Sequence, residues 1–344
     1  MIVDFEFSEE QEEFRRTARS LLERYCPPER VRTVVDGAGS RRADRGRLYD
    51  RELWGHLAAQ GWLGVELPVE AGGVGLGCVE SSILLEEIGR AMAPVPYLPS
   101  LLAIGALHVA GQTPLVMELV EGRRIGCVTF EDQLAVAAPI ADVVVRARRD
   151  GLSMIEGFDV EAQPAMDRTR PIGWVDRTVE GRSIGGSDAV NELVDRAAVG
   201  TAAQLLGGAA AVMELANVYA KDRKQFGRPI GSFQAVKHHC ADMLVDVECM
   251  RSVLYWAAWS VQERTADASV AASSAKAWCA DAGVRVIETG MQIFGGLGFT
   301  WDHDAHLYLK RAELDEVTFG PARFHRDRLA TLLRERLPDG LPFS

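Results

Sequence analysis

Cysteine is scarce in this 344-residue chain. Six thiols (Cys26, Cys78, Cys127, Cys240, Cys249 and Cys279) are scattered without a Cys-x-x-Cys pair. The scarcity excludes a disulfide scaffold, and the missing pair argues against zinc ribbons and thioredoxin-type redox sites. Reduced thiols in a cytoplasmic protein are the expectation. Basic charge is also in deficit, with 38 Lys and Arg against 49 Asp and Glu and a net charge of −11. Such a chain repels phosphate backbones, so no nucleic acid partner is expected. The apolar stretches are interrupted by charge or Gly short of a membrane span, and no basic segment precedes an apolar core near Met1. Neither a membrane nor a signal peptide is expected. What is present is ordinary for a globular protein, 47% hydrophobic and 25% charged, which excludes global disorder.

At about 150 residues per domain the length fits two or three domains. Ser8 and Gln11 fit a capping box, and Phe14, Leu21, Leu22 and Tyr25 follow at helical spacing until Pro27 and Pro28. Further helices are predicted through Leu53–Ala58, Val79–Met92, Leu101–Ala110 and Pro114–Gly122, with Pro94, Pro96 and Pro99 as breakers. From Ile125 to about Arg182 the pattern turns to short strand-like runs, at 125–130, 141–146, 152–155 and 174–175. From about Asp188 the chain is helical again, with long segments over 198–219, 233–263 and 266–294 and a last helix over 323–333. The reading is mainly α: a helical domain over 1–122, a small β segment over 123–187 and a C-terminal four-helix bundle over 188–344.

Most candidate motifs read as structure. The Gly72 to Gly77 run lies outside any βαβ unit and lacks a following Lys-Ser/Thr, so a tight loop is expected there and not a phosphate cradle. His303, His306, Asp302 and Asp304 fit no metal-ligand spacing, and no metal is expected. The informative segment runs from Tyr219 to His238. Arg223 is a bidentate donor suited to a pyrophosphate and Phe226 offers a stacking face, set against the alternative of a structural ion pair and a core ring.

Arg223-x-x-Phe-Gly-x-Pro-Ile, followed by Phe233-Gln-x-x-x-His, resembles the C-terminal domain of flavin-dependent acyl-CoA dehydrogenases. Gln292-Ile-Phe-Gly-Gly-Leu-Gly-Phe-Thr300 with Tyr308-Leu-Lys-Arg-Ala312 is similar to that family's second signature. Trp62-Leu-Gly-Val-Glu-Leu-Pro-x-x-x-Gly-Gly-x-Gly resembles its N-terminal domain. Three ordered motifs span the chain from about Phe5 to Leu333. The resemblance implies an acyl-CoA dehydrogenase-like fold and FAD bound at a subunit interface. Arg223, Gln225 and Phe226 would hold the adenosine diphosphate half, with Gln292, Gly295 and Gly296 close by, and Val128 and Thr129 would line the flavin. The implied reaction is α,β-dehydrogenation of an acyl-CoA thioester in lipid metabolism, of the fatty acid β-oxidation type. A carboxylate takes the α-proton, the β-hydrogen leaves as hydride, and electron-transfer flavoprotein reoxidises the cofactor.

The sequence also departs from the family. The usual Glu of the turn before the last helix falls on Phe319, whose ring accepts no proton; Asp315 and Glu316 lie out of register and read as a solvated acidic turn. Counting back from Phe294 reaches Asp281, the candidate base on the preceding helix, set against an i,i+4 pair with Arg285; Glu288 is the weaker candidate. About thirty residues of the family's β domain have no counterpart between Asp132 and Ala141, a flavin-covering strand among them. That combination resembles one subunit of the heteromeric acyl-CoA dehydrogenases of steroid degradation, in which two unlike chains share each FAD. The expected assembly is a heterotetramer with a second acyl-CoA dehydrogenase-like chain. The alternatives are a non-catalytic structural partner that completes the FAD site of its mate, and a self-sufficient homo-oligomer.

Overall fold

The computed structural model describes residues 7–38, 45–130 and 133–334. Helix α1 (Glu9–Tyr25) starts where expected: the Gln11 N–H donates to Ser8 Oγ, and the Ser8 N–H donates back to the Gln11 side chain. Then come α2 (Pro28–Ala38), α3 (Arg51–Ala59, capped by Asp50), α4 (Cys78–Arg90), α5 (Tyr97–Val109) and α6 (Thr113–Val120). Pro99, expected to break the chain, lies inside the first turn of α5. A missing N–H costs nothing there, because the first turn has no intrahelical acceptor for it.

The middle segment is β1 (Gly126–Phe130), β2 (Ala135–Val136), β3 (Val143–Arg148), β4 (Gly151–Ile155), β5 (Val160–Gln163), β6 (Ile172–Val175) and β7 (Arg182–Gly186). One sheet has the order β1-β3-β4-β7, with β1 and β3 parallel and the rest antiparallel; the other has the order β2-β6-β5. Strands β1, β3 and β4 are apolar and buried, and the sequence showed them. β5 and β7 are mostly exposed and polar, so no hydrophobic run marks them. The Ser100 hydroxyl donates to the Gly126 carbonyl and ties α5 to β1.

The C-terminal unit is α7 (Ser187–Asp222), a hairpin of β8 (Lys224–Gln225) and β9 (Arg228–Pro229), α8 (Gln234–Gln262), α9 (Ala268–Phe294), α10 (Ala305–Val317) and α11 (Ala322–Arg334). The expected four-helix bundle corresponds to α7, α8, α9 and α11. The sequence reading did not assign α10, which lies across α7 and α9. By length and composition α7 could span a membrane, contrary to the sequence reading, but 83% of its apolar window is buried inside the molecule. It is the core helix of the protein.

Small residues make that burial possible. A Cβ on Gly207 would lie 1.9 Å from the Glu86 carbonyl oxygen, and one on Gly89 would lie 2.2 Å from the Gln204 carbonyl. Helices α4 and α7 therefore meet backbone to backbone, which joins the N-terminal and C-terminal helices directly. Gly207→Val should lower unfolding stability by about 3 kcal/mol or prevent folding, because neither backbone can retreat. Urea denaturation of the variant checks this; unchanged stability would disprove the contact.

Candidate functional site

Two regions matter: an open face at one end of the bundle and a closed interior behind it. At the open face α7 stops at Arg223, whose backbone turns extended while its N–H donates to the Tyr219 carbonyl. The chain then reverses in a two-residue hairpin. Phe226 and Gly227 both have positive φ, 51° and 79°, as a type I′ turn requires. Phe226 is 91% exposed, so it is not the core ring that one reading of the sequence allowed. Arg223 is exposed too, and no carboxylate among the described residues pairs with it. Helix α9 ends at the same face: the rings of Tyr219 and Phe294 lie 5.3 Å apart, and Gly295 leaves the helix with φ 61°. Gln292 is exposed, and a Cβ added at Gly295 or Gly296 would meet nothing within 4 Å. Six expected cofactor residues, Arg223, Gln225, Phe226, Gln292, Gly295 and Gly296, thus share one open end of the bundle. A planar stacking face, an unpaired guanidinium and accessible backbone fit an adenosine diphosphate.

Val128 and Thr129 are not at that end. Both lie buried in β1, and the Thr129 hydroxyl faces its own backbone, 3.3 Å from the Phe130 carbonyl. The space beside Thr129, bounded by Trp174 and Arg146, holds about 50 Å³. The Arg146 guanidinium crosses it to donate to the Val179 and Asp176 carbonyls at 2.8 and 2.5 Å. Cofactor pockets usually hold about 300–1,000 Å³, so the space beside Thr129 is too small for a flavin ring.

The closed interior lies where the loop between β5 and β6 docks on α10. Asp167 makes an Asx turn, accepting from the Thr169 N–H and hydroxyl at 2.9 and 2.5 Å. Thr169 in turn accepts from Arg311 at 2.5 Å, and Arg170 reaches inward to Asp315 and Gln204. The acidic turn expected at Asp315 and Glu316 does not exist: α10 runs on to Val317, and Asp315 is 1% exposed as the partner of Arg170. Lys276, fully buried on α9, donates to the Asp315 and Glu316 carbonyls at 2.8 Å each. Burial lowers its ammonium pKa to about 8, against the pull of Asp315. Arg311 is lowered to about 10 by burial and by the charge of Arg170.

Phe319 sits at the mouth of this cluster with φ 58°, its ring 5.6 Å from that of Phe130. Its carbonyl lies 3.1 Å from His325 Nε2 and can only accept, so that nitrogen carries the proton. Burial, then the charge of Lys276, lowers the His325 pKa to about 4. The cavity between Pro99, Gln204, Arg170, Asp315 and Phe319 is only about 20 Å³. Sequence reasoning missed Arg170, Lys276, Arg311 and His325. The one local signal was a Lys alone on the apolar face of α9.

Asp281 lies away from this interior. It is exposed on the side of α9 that faces α11, where Arg326 pairs with it. The expected i,i+4 partner Arg285 instead makes two 2.8 Å bonds to Asp246 on α8. Glu288 is exposed. His303 Nδ1 accepts from the Ala305 N–H at 3.1 Å, a local helix-start contact.

Comparison with known proteins bears on both regions. The family models for the acyl-CoA dehydrogenase N-terminal and C-terminal domains match residues 8–113 and 185–333. The chain is 36% identical to acyl-CoA dehydrogenase IpdE2 of Mycolicibacterium smegmatis (strain ATCC 700084 / mc(2)155), over 94% of this chain and 98% of that protein. It is 30% identical to acyl-CoA dehydrogenase FadE27 of Mycobacterium tuberculosis (strain ATCC 25618 / H37Rv), over 97% and 99% of the two chains. Among solved structures, a variant of the Tcur3481-Tcur3483 steroid ACAD superposes with a TM-score of 0.86 at 30% identity, covering 95% of this chain and 98% of that one. A chain of the ChsE4-ChsE5 complex from Mycobacterium tuberculosis superposes at 0.85 with 28% identity, covering 98% and 100%.

Two outcomes follow from the interior. Removing one member of the buried ion pair strands the other, so Arg170→Ala should cost about 3–5 kcal/mol, whereas Arg170→Met with Asp315→Leu should recover most of it. A denaturation double-mutant cycle reads this, and additive costs would refute the pairing. For His325, the folded protein keeps the ring neutral down to about pH 4, while the unfolded chain takes up a proton near the ordinary value of 6.5. Stability is therefore complete above pH 6.5 and falls by up to about 3 kcal/mol as pH drops toward 4. His325→Gln should flatten that part of the stability–pH curve, and an unaltered slope would contradict the assignment.

Proposed function

We propose that this chain, which belongs to the acyl-CoA dehydrogenase family, is the cofactor-completing subunit of a hetero-oligomeric dehydrogenase that introduces an α,β double bond into a CoA thioester. One observation carries the reading: an open nucleotide-fitting face coexists with a base position that is filled. A base at residue 319 would have to reach the α-carbon of an acyl chain. The side chain there is a phenyl ring, and the space before it is about 20 Å³. The base and the acyl cavity therefore come from an unlike partner chain, itself acyl-CoA dehydrogenase-like.

In this reading Arg223 spans the diphosphate of FAD, Phe226 stacks on the adenine, and Gln292 with Gly295 and Gly296 lets the backbone approach the same half. Val128 and Thr129, buried in β1, stand apart from the open end of the bundle. FAD held there would supply the acceptor for the β-hydrogen as hydride and the route of the electrons to electron-transfer flavoprotein. Asp281, exposed and paired with Arg326, serves the surface and not the proton transfer. A steroid-derived acyl group is the proposed substrate, supported by the likeness to the Tcur3481-Tcur3483 steroid ACAD, and the cytoplasm is the proposed location.

The test is the flavin spectrum. The chain expressed alone should purify colourless, and co-expression with a base-bearing partner should give a yellow complex. In that complex Arg223→Ala should weaken FAD retention at least about tenfold, the loss of one charge-assisted contact. Asp281→Asn should leave turnover within about twofold, as expected of a surface substitution. A stoichiometric flavin on the chain alone would overturn the reading, as would a hundredfold loss of turnover in Asp281→Asn.

A further inference from the structure

Outside the regions above, the structure gathers an ammonium, a guanidinium and an unmatched imidazole N–H around one indole. Trp301, 52% exposed just beyond the Gly295–Gly296 turn, has Lys310 Nζ 4.7 Å and the Arg168 guanidinium 6.0 Å from its ring centroid. No carboxylate among the described residues pairs with either cation. That is unusual in a chain of net charge −11. Two of the nearby acids are committed elsewhere. Asp167 holds Thr169 and faces Arg311, and Asp304 pairs with Arg32 at 2.8 Å. The two cations oppose each other: burial, then the charge of Arg168, lowers the Lys310 pKa.

The third donor follows from a tautomer argument. Lys310 Nζ lies 3.1 Å from His306 Nδ1, and an ammonium can only donate, so Nδ1 accepts. The ring is kept neutral by burial and by Lys310, so its proton sits on Nε2. That N–H has no partner, and His306 is only 6% exposed. Arg168 is also aimed and not loose. Its neighbours Asp167, Thr169 and Arg170 are all buried, so the Asx turn that docks the loop forces residue 168 outward over Trp301. A buried, unmatched donor is costly, and two opposed cations add to that cost. A compact anion with several acceptor oxygens would relieve the two cations at once.

We propose that Arg168, Lys310 and Trp301 form a receptor for a phosphate group carried by a nucleotide. A carboxylate offers fewer acceptor oxygens to three donors than a phosphate does, and the exposed indole offers an adjoining nucleobase a surface to pack on. Two molecules of the proposed reaction carry that chemistry, the CoA thioester and FAD. The inference rests on the proposed function only for those two sources; the anion site itself does not depend on it.

The experiment titrates the full-length chain, alone and in its co-expressed complex, with adenosine 3′,5′-bisphosphate, inorganic phosphate and adenosine at two ionic strengths. Bisphosphate should bind, adenosine should not, and added salt should weaken the binding. Arg168→Gln and Lys310→Gln should each raise the bisphosphate Kd about tenfold with melting temperatures unchanged, and Lys310→Arg should keep most of the affinity. If the variants lose bisphosphate binding and keep their flavin, the thioester is the source. If they lose flavin instead, the diphosphate of the cofactor is. No binding of either phosphate probe by the wild type, with flavin retention equal in wild type and variants, would overturn the proposal. So would equal binding of adenosine, or glutamine variants that match the wild type in both binding and flavin content. A complex that is colourless in wild type and variants alike counts against the proposed function, whereas bisphosphate binding is read without any flavin.

Discussion

Everything in the interior depends on one docking event, the loop at 167–170 closing on α10 through the buried pair of Arg170 and Asp315. Taking both charges out of water is costly, and attraction alone does not offset it. Further hydrogen bonds are needed as well, and Gln204 supplies one by accepting from Arg170. The geometry alternates along four residues. Asp167, Thr169 and Arg170 turn inward while Arg168 turns out. One short polar turn thereby ties the small sheets to the helical bundle and also decides what faces solvent.

The two ends of the bundle are consequently unlike in kind. Around Phe319 the interior is closed: Lys276 holds the carbonyls of residues 315 and 316, and His325 lies against the carbonyl of 319. Around Phe226 and Gly295 the backbone is exposed and the nearest guanidinium has no acid partner. A surface in that condition is complete only when something else supplies the other half. The backbone contact of α4 with α7 holds the two regions in a fixed relation, because neither helix can slide where Gly207 and Gly89 leave no room for a side chain.

Local features were legible in the sequence. The capping box at Ser8, the strand character of 143–146 and the long helices carry their signal within a few residues. The runs expected to hold a cofactor are contiguous in sequence, and the structure brings the Arg223 and Gly295 runs to one face through the Tyr219–Phe294 contact. What escaped was anything decided by a distant partner. Asp315 reads as a surface acid until Arg170, far along the chain, is seen beside it. Asp281 and Arg285 stand one turn apart yet choose Arg326 and Asp246 on other helices. Strand β7, polar and exposed, exists because β4 offers it an edge.

The filling of the space before Phe319 also limits what a single substitution can do. Suppose a carboxylate were restored at residue 319 by itself. It would arrive beside a ring, a neutral imidazole and two occupied cations, with about 20 Å³ of room for the molecule it should act on. Regaining a working site would require dismantling the Arg170–Asp315 pair at the same time, and each step taken singly exposes a bare charge to the core. A carboxylate placed at residue 319 alone would therefore meet a closed interior, since the room it needs is held by two charges that stabilise each other.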